Sequence, residues 1–288
     1  MKFFLLLSLF FANLVAFDYS LSTSVTSNAK TVYIEFPKKR TLNYDKIIAG
    51  KRAYSIFSHP TNRDKMYAFI PISYYQKPTD KKVEVIYFEN GIKKSETILL
   101  IVKEANYLKE NLKVQSSKVN PKSKEVKKRT AKEYKEAMDI YGRATRKSYI
   151  ETSFIMPMNS KITSDFGKAR VYNGSLKGYH SGTDFRAKVG TPIIAVNDGV
   201  VVLAKDRFYA GNSIIIDHGH GIYSCYYHLS KFSVKEGERV TQKQIIGLSG
   251  ATGRITGPHL HFSIRVGGLQ VDPLQFIEII NKKIFKEN

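Results

Sequence analysis

One cysteine in 288 residues leaves Cys225 without an intramolecular disulfide partner. No cysteine follows the apolar run near the N-terminus, so lipid attachment has no acceptor there. That run covers 3–16, broken only by Ser8 and Asn13, and is shorter than the ~20 residues a membrane-spanning helix needs. With Lys2 before it and polar residues from Asp18 onward, segment 1–16 reads as a secretory signal peptide cut after Ala16, an uncleaved anchor being the alternative. Acidic residues are also few, 25 against 46 Lys and Arg, for a formal charge of +21. A cationic protein is drawn to acidic polymers. Export excludes nucleic acid as the natural partner and leaves the cell wall or an anionic membrane surface. Nothing in the chain bears on oligomeric state, and no repeat at solenoid spacing is visible.

The chain is long enough for two domains, and 42% hydrophobic with 12% aromatic residues is enough for ordinary cores. Residues 17–110 contain short apolar runs at 31–36, 66–72, 83–88 and 92–102, the last two separated by an Asn-Gly pair that signals a hairpin. This unit is expected to be a small β-sandwich. A basic linker and helix follow at 111–150. Between 113 and 147 there are 12 Lys and Arg against 4 Asp and Glu. Thr130 and Glu133 form a capping-box pattern, Tyr134, Ala137, Met138 and Tyr141 an apolar stripe, and Gly142 the stop. Residues 151–288 are densely β-patterned with glycine at the turns, and hold six of the seven histidines. The expected fold class is mainly β, with an antiparallel second domain.

The chemistry-bearing residues lie in that second domain. In a strand, residues two apart share a face. His259, His261 and Ser263 therefore share one face, with Leu260, Phe262 and Ile264 on the core side. The same alternation in YSCYYHL groups Ser224, Tyr226 and His228, with Tyr223, Cys225 and Tyr227 opposite. In HSGTD, His180 and Asp184 are four apart on a loop that runs into a strand. Two histidines and an aspartate make a sensible zinc set, because catalytic zinc commonly takes three protein ligands and keeps a fourth position open. His218 and His220 form a second H-x-H, but DHGHG suggests a tight connection and a structural role, as does His59 beside Pro60. Cys225, on the face away from the expected site, reads as a small buried hydrophobe.

HSGTD at 180–184, GTPIIA at 190–195, DGVV at 198–201, IIDHGHG at 215–221, YYHLS at 226–230 and TGPHLHF at 256–262 together resemble the M23, or LytM/lysostaphin-type, peptidases. The resemblance covers about 152–275. It implies an antiparallel M23-type catalytic domain with zinc held by His180, Asp184 and His261, and with His228 and His259 as an unligated catalytic pair. Arg170 and Asn173 resemble residues at the groove edge of related enzymes, which would make them candidates for substrate binding. Tyr226, on the expected face of His228, is a third candidate.

No H-E-x-x-H is present, so a carboxylate base of the thermolysin type is excluded and a histidine must move the proton. The resemblance implies a zinc metallopeptidase acting on peptidoglycan, and the β-rich leader domain looks like that of Gram-negative members cutting D-alanyl cross-links. The expected location is the periplasm. A non-catalytic activator of a cell-wall amidase, built on the same fold, is the alternative.

Overall fold

A computed structural model describes residues 17–112, 121–172 and 174–286. Segment 1–16, expected to be a signal peptide, part of the basic linker and Asn173 lie outside the described residues. Among these residues no helix is long and apolar enough to cross a membrane.

The N-terminal unit is a sandwich of two sheets. One has four strands, in the order Ser20–Leu21, Thr31–Pro37, Lys65–Pro71 and Phe57–Ser58; the other has five, Val25–Ser27, Ile92–Lys103, Thr79–Glu89, Leu42–Ala49 and Arg52–Ser55. Between them pack Val32, Ile34, Phe36, Ile47, Ile70, Val83, Val85 and Leu100. The expected hairpin is present: Glu89 pairs with Ile92 around Asn90 and Gly91, both at positive φ (51° and 81°) as a two-residue primed turn requires. The Leu42–Ala49 and Arg52–Ser55 hairpin was not anticipated.

The four-stranded sheet is buried on both faces, which explains why Thr31–Pro37 and Lys65–Pro71 are nearly continuously buried. Val32, Ile34, Ala68 and Ile70 face the sandwich. Tyr33, Tyr67 and Phe69 face the core of the C-terminal unit, where Phe69 meets Phe276 at 5.3 Å between centroids. Polar contacts fix the junction. The Gln275 side chain accepts from the Thr31 N–H and donates to the Thr31 carbonyl, each at 2.9 Å, and Lys30 pairs with Asp272 at 2.6 Å.

The helix spans Lys124–Tyr141, with Ser123 as N-cap accepting from the Val126 N–H, about two turns before the Thr130 capping pattern. Thr130 instead donates to the Lys127 carbonyl, and Glu133 accepts from the Phe208 N–H at 3.0 Å. Gly142 does end the helix. The buried face is Glu133, Ala137, Ile140 and Tyr141, while Tyr134 is exposed, so the stripe is rotated from the expected one. That face covers Leu203, Ile215, Tyr223 and Cys225 at one end of the large sheet.

The large sheet is antiparallel and has ten strands, with Ile162–Ser164, Thr183–Arg186, His259–Val266, Ile222–Phe232, Gly211–Asp217, Gly199–Arg207 and Arg239–Val240 along its main path. One face, with Leu260, Phe262, Ile264 and Tyr226, forms the core against Phe154 and Phe276. The other face carries the helix at one end and a groove at the other. A fourth sheet edges the groove. In it Lys109–Leu112, the last stretch of the N-terminal half, pairs in parallel with Ala169–Tyr172, which pairs with Ser175–Tyr179.

Candidate metal centre and active-site groove

The centre is built on two neighbouring strands. Asp184 on Thr183–Arg186 lies directly opposite His261 on His259–Val266, and the core sides of both strands are apolar, so both side chains must point to the other face. His180 enters from the loop before Thr183. Its Nε2 lies 2.9 Å from Asp184 Oδ1 and 3.0 Å from His261 Nδ1, and His261 Nδ1 lies 2.9 Å from the same Oδ1. These three residues are the group among the described residues able to hold a metal ion, and all three are buried. The separations approach the ~3.3 Å edge of a tetrahedron with zinc bond lengths, so the donor set fits that ion in chemistry and in size.

The surroundings hold these ligands in place. His180 Nδ1 donates to the Asp165 carbonyl at 2.7 Å, which leaves the Nε2 lone pair for the metal. Gly182 is required by close approach: a Cβ there would meet the Phe262 carbonyl oxygen at 2.3 Å and His261 Nε2 at 2.5 Å. Burial alone would raise the Asp184 carboxyl, but hydrogen bonds from His180 and His261 hold it well below the usual carboxylate range. Burial also pushes the His261 imidazole down to about 4, against the pull of Asp184.

Two more histidines face the same groove. His259 Nδ1 donates to the Gly257 carbonyl at 2.8 Å, and its Nε2 stands 3.6 Å from Asp184 Oδ1. His228 Nδ1 donates to the Thr252 carbonyl at 2.8 Å, and the two rings are 5.0 Å apart. Each therefore keeps an unprotonated Nε2 when neutral. Burial, followed by the neighbouring His261 and His259, pushes His228 down to about 3, favouring the neutral form.

The expected partition of Ile222–Phe232 is wrong at His228, because the strand bulges there. Asn212 pairs with Leu229 and Ile214 with Tyr226, so Ser213 alone faces Tyr227 and His228, and His228 takes φ 64°. Both residues then line the groove. Tyr226 is fully buried on the core side, where its hydroxyl accepts from the Val196 N–H at 3.0 Å and lies 3.1 Å from Ser224 Oγ, so it is not a substrate-binding residue. Its neighbour Tyr227 reaches the site instead, stacked on His261. Cys225 is buried as expected but on the site's face, under the helix, with the Tyr141 hydroxyl 3.4 Å away.

Arg170 lines the groove, held 3.1 Å from Glu110 and 3.4 Å from Asp184 Oδ2. Glu110 was not anticipated: it lies far upstream of the other site residues and arrives only by parallel pairing with Ala169–Tyr172. Thr252 and Arg254 were also missed, although their Gly- and Thr-rich setting, ATGRITG, marks a structured loop. His218 and His220 stay outside. His218 is bonded to the Asp198 carbonyl and Ser224, while His220 pairs with the Tyr67 hydroxyl and stacks on Phe57 at 4.1 Å. His59 is buried in the N-terminal unit, 3.9 Å from Glu35.

Residues 178–273 match Peptidase family M23. The chain is 44% identical over 122 residues to peptidoglycan DD-endopeptidase ShyA of Vibrio cholerae, covering 41% of this chain and 28% of that protein. It is 43% identical over 95 residues to DD-carboxypeptidase/endopeptidase Mpg of Neisseria meningitidis, covering 33% and 22%. The chain thus spans less than a third of the length of these relatives. A crystal structure of a peptidase M23 candidate from Pseudomonas aeruginosa superposes with a TM-score of 0.68 at 26% identity, over 87% of this chain and 94% of that one. All five His and Asp residues that meet in the groove fall inside the matched segment, so residues 178–273 form a segment of the peptidase family M23 type.

Proposed function

We propose that this protein is an exported zinc metallopeptidase that cleaves peptide cross-links of peptidoglycan, D-alanyl cross-links in particular, in the periplasm of a Gram-negative bacterium. The observation that carries the reading is the convergence of three ligand atoms within 3.0 Å beside two further histidines whose Nε2 atoms address the same groove. His180, Asp184 and His261 would hold the zinc. A zinc ion there supplies a Lewis acid for the scissile carbonyl and lowers the pKa of water towards ~7.

The protein's own groups do the rest. The imidazoles of His259 and His228, each fixed through Nδ1 to a carbonyl, present Nε2 to the substrate. One accepts the proton of the attacking water and passes it to the departing amine; the other, when protonated, donates to the oxyanion. His228, which burial holds in the neutral form, suits the first task and His259 the second. The groove, about 460 Å³, is open along one side and accepts an extended peptide.

Relatives named as DD-endopeptidases support the bond type, and a charge of +21 suits a wall rich in carboxylates. The same charge supports peripheral attachment to the wall or an anionic membrane. A non-catalytic amidase activator is disfavoured, because such a role needs no complete ligand set and no second histidine pair. Digestion of cross-linked muropeptide dimers by the mature protein should give monomers with intact stems, abolished by chelator. Sugar-free peptides would indicate an amidase instead, shortened monomer stems a carboxypeptidase, and untouched wall material the activator.

A further inference from the structure

Among the described residues two arginines line the groove. Arg170 is held between Glu110 and Asp184. Arg254 comes from the loop leading to His259, with its guanidinium 4.7 Å from the centroid of the Tyr209 ring and its backbone N–H donating to the Tyr209 carbonyl at 2.8 Å. Two residues earlier, Thr252 accepts from His228 Nδ1 on its carbonyl, while its hydroxyl donates to the Leu229 carbonyl and accepts from the Asn212 N–H, each at 2.9 Å. The backbones of these loops touch. A Cβ on Gly211 would meet Thr252 Oγ1 at 2.3 Å, and one on Gly253 would meet the Gly211 nitrogen at 2.4 Å. Arg254, Tyr209 and His228 thus belong to one rigid wall.

We infer that Arg254, braced on Tyr209, is a specificity-determining residue that receives a free carboxylate next to the scissile nitrogen of the substrate. The inference rests on the endopeptidase reading and narrows it. In a D-alanyl cross-link to a diamino diacid, the carbon bearing the scissile nitrogen also bears a free carboxylate; inside a glycine bridge it bears a neutral peptide carbonyl. The histidine that hands a proton to the departing amine must stand beside that nitrogen, and His228 on this wall places Arg254 on the amine side. A guanidinium held against an aromatic ring can present its planar N–H fork to a carboxylate.

The test uses zinc-loaded protein and two muropeptide dimers that differ only in whether the amine-side carboxylate is free or a carboxamide. Wild type should cleave the acid with a kcat/KM about tenfold higher, the size of one charge-assisted pair in a partly open groove. Arg254→Gln should bring the ratio close to one, and Arg254→Lys should restore part of it. Equal wild-type rates, or a ratio that survives in Arg254→Gln with full zinc content, would overturn the inference. Titrating the same dimers into zinc-loaded His259→Ala protein reads recognition without turnover: tighter binding of the acid supports the role of Arg254, and equal binding refutes it. Wild type that binds the acid more tightly yet cleaves neither dimer would sink the endopeptidase reading alone.

Discussion

The Tyr227 ring lies nearly parallel to the His261 imidazole, with centroids 5.4 Å apart and planes 19° apart, and its hydroxyl is 3.2 Å from that of Tyr141 at the end of the helix. A proposed metal ligand is thereby packed against an aromatic wall that the Lys124–Tyr141 helix supports from behind.

Tyr227→Phe should retain zinc and lose about 0.5–1.5 kcal/mol of stability, the worth of one hydroxyl hydrogen bond. Tyr227→Ala removes the ring as well and should weaken zinc retention in a chelator competition. Equal zinc retention in the two variants would show that stacking on His261 does not hold the ligand.

Ligand and proton-transfer histidines should separate cleanly. Metal analysis of His180→Ala, Asp184→Ala and His261→Ala should find zinc lost. His228→Ala and His259→Ala should keep it while activity drops about 10²-fold or more. Zinc-free His259→Ala protein would mean that the two histidines of HLH had exchanged roles.

Gly182→Ala places a methyl against the Phe262 carbonyl and His261 Nε2. Overpacking typically costs about 1–3 kcal/mol, and here backbone must move because a carbonyl is the nearest atom. Lowered melting temperature together with reduced zinc affinity is expected; wild-type values for both would show that the strand yields without cost.

Acid should destabilise the fold through His218 and His220, which burial pushes down to about 4. The unfolded chain takes up these protons near pH ~6.5 while the folded chain refuses them until about pH 4, so the unfolded state binds more protons in that window. Stability is therefore full above the upper limit and falls on acidification through the window, by roughly 3 kcal/mol for fully buried His218. Denaturant titrations of zinc-free protein between pH 7 and 4 should show a slope that His218→Asn flattens; parallel slopes would exclude this origin.

Local periodicity made the ligand strand legible. Leu260, Phe262 and Ile264 are fully buried, and that alone turns His259, His261 and Ser263 to the other face. The hairpin at Asn90 and Gly91 was readable for the same reason, since two adjacent positive-φ residues leave few other turns. Reading failed at Tyr226, where strict alternation was carried through a strand that bulges at His228. It failed again at Thr130, because Ser123 caps the helix seven residues earlier, its side chain accepting from the Val126 N–H on an exposed first turn.

The sequence by itself determined the donor types, their order and the outward face of the HLH strand, because a two-residue period and a buried apolar set act over a few neighbouring residues. Tertiary structure decided which tyrosine stands beside His261, how His228 is aimed through Thr252, and that Glu110 reaches Arg170. Each of these depends on chain segments that meet only when distant backbones pair: a bulge opposite Ser213, two loops in contact at Gly211 and Gly253, and a parallel strand at the groove's edge. No local pattern encodes such meetings, since their register is fixed by the partner strand and not by the residues themselves.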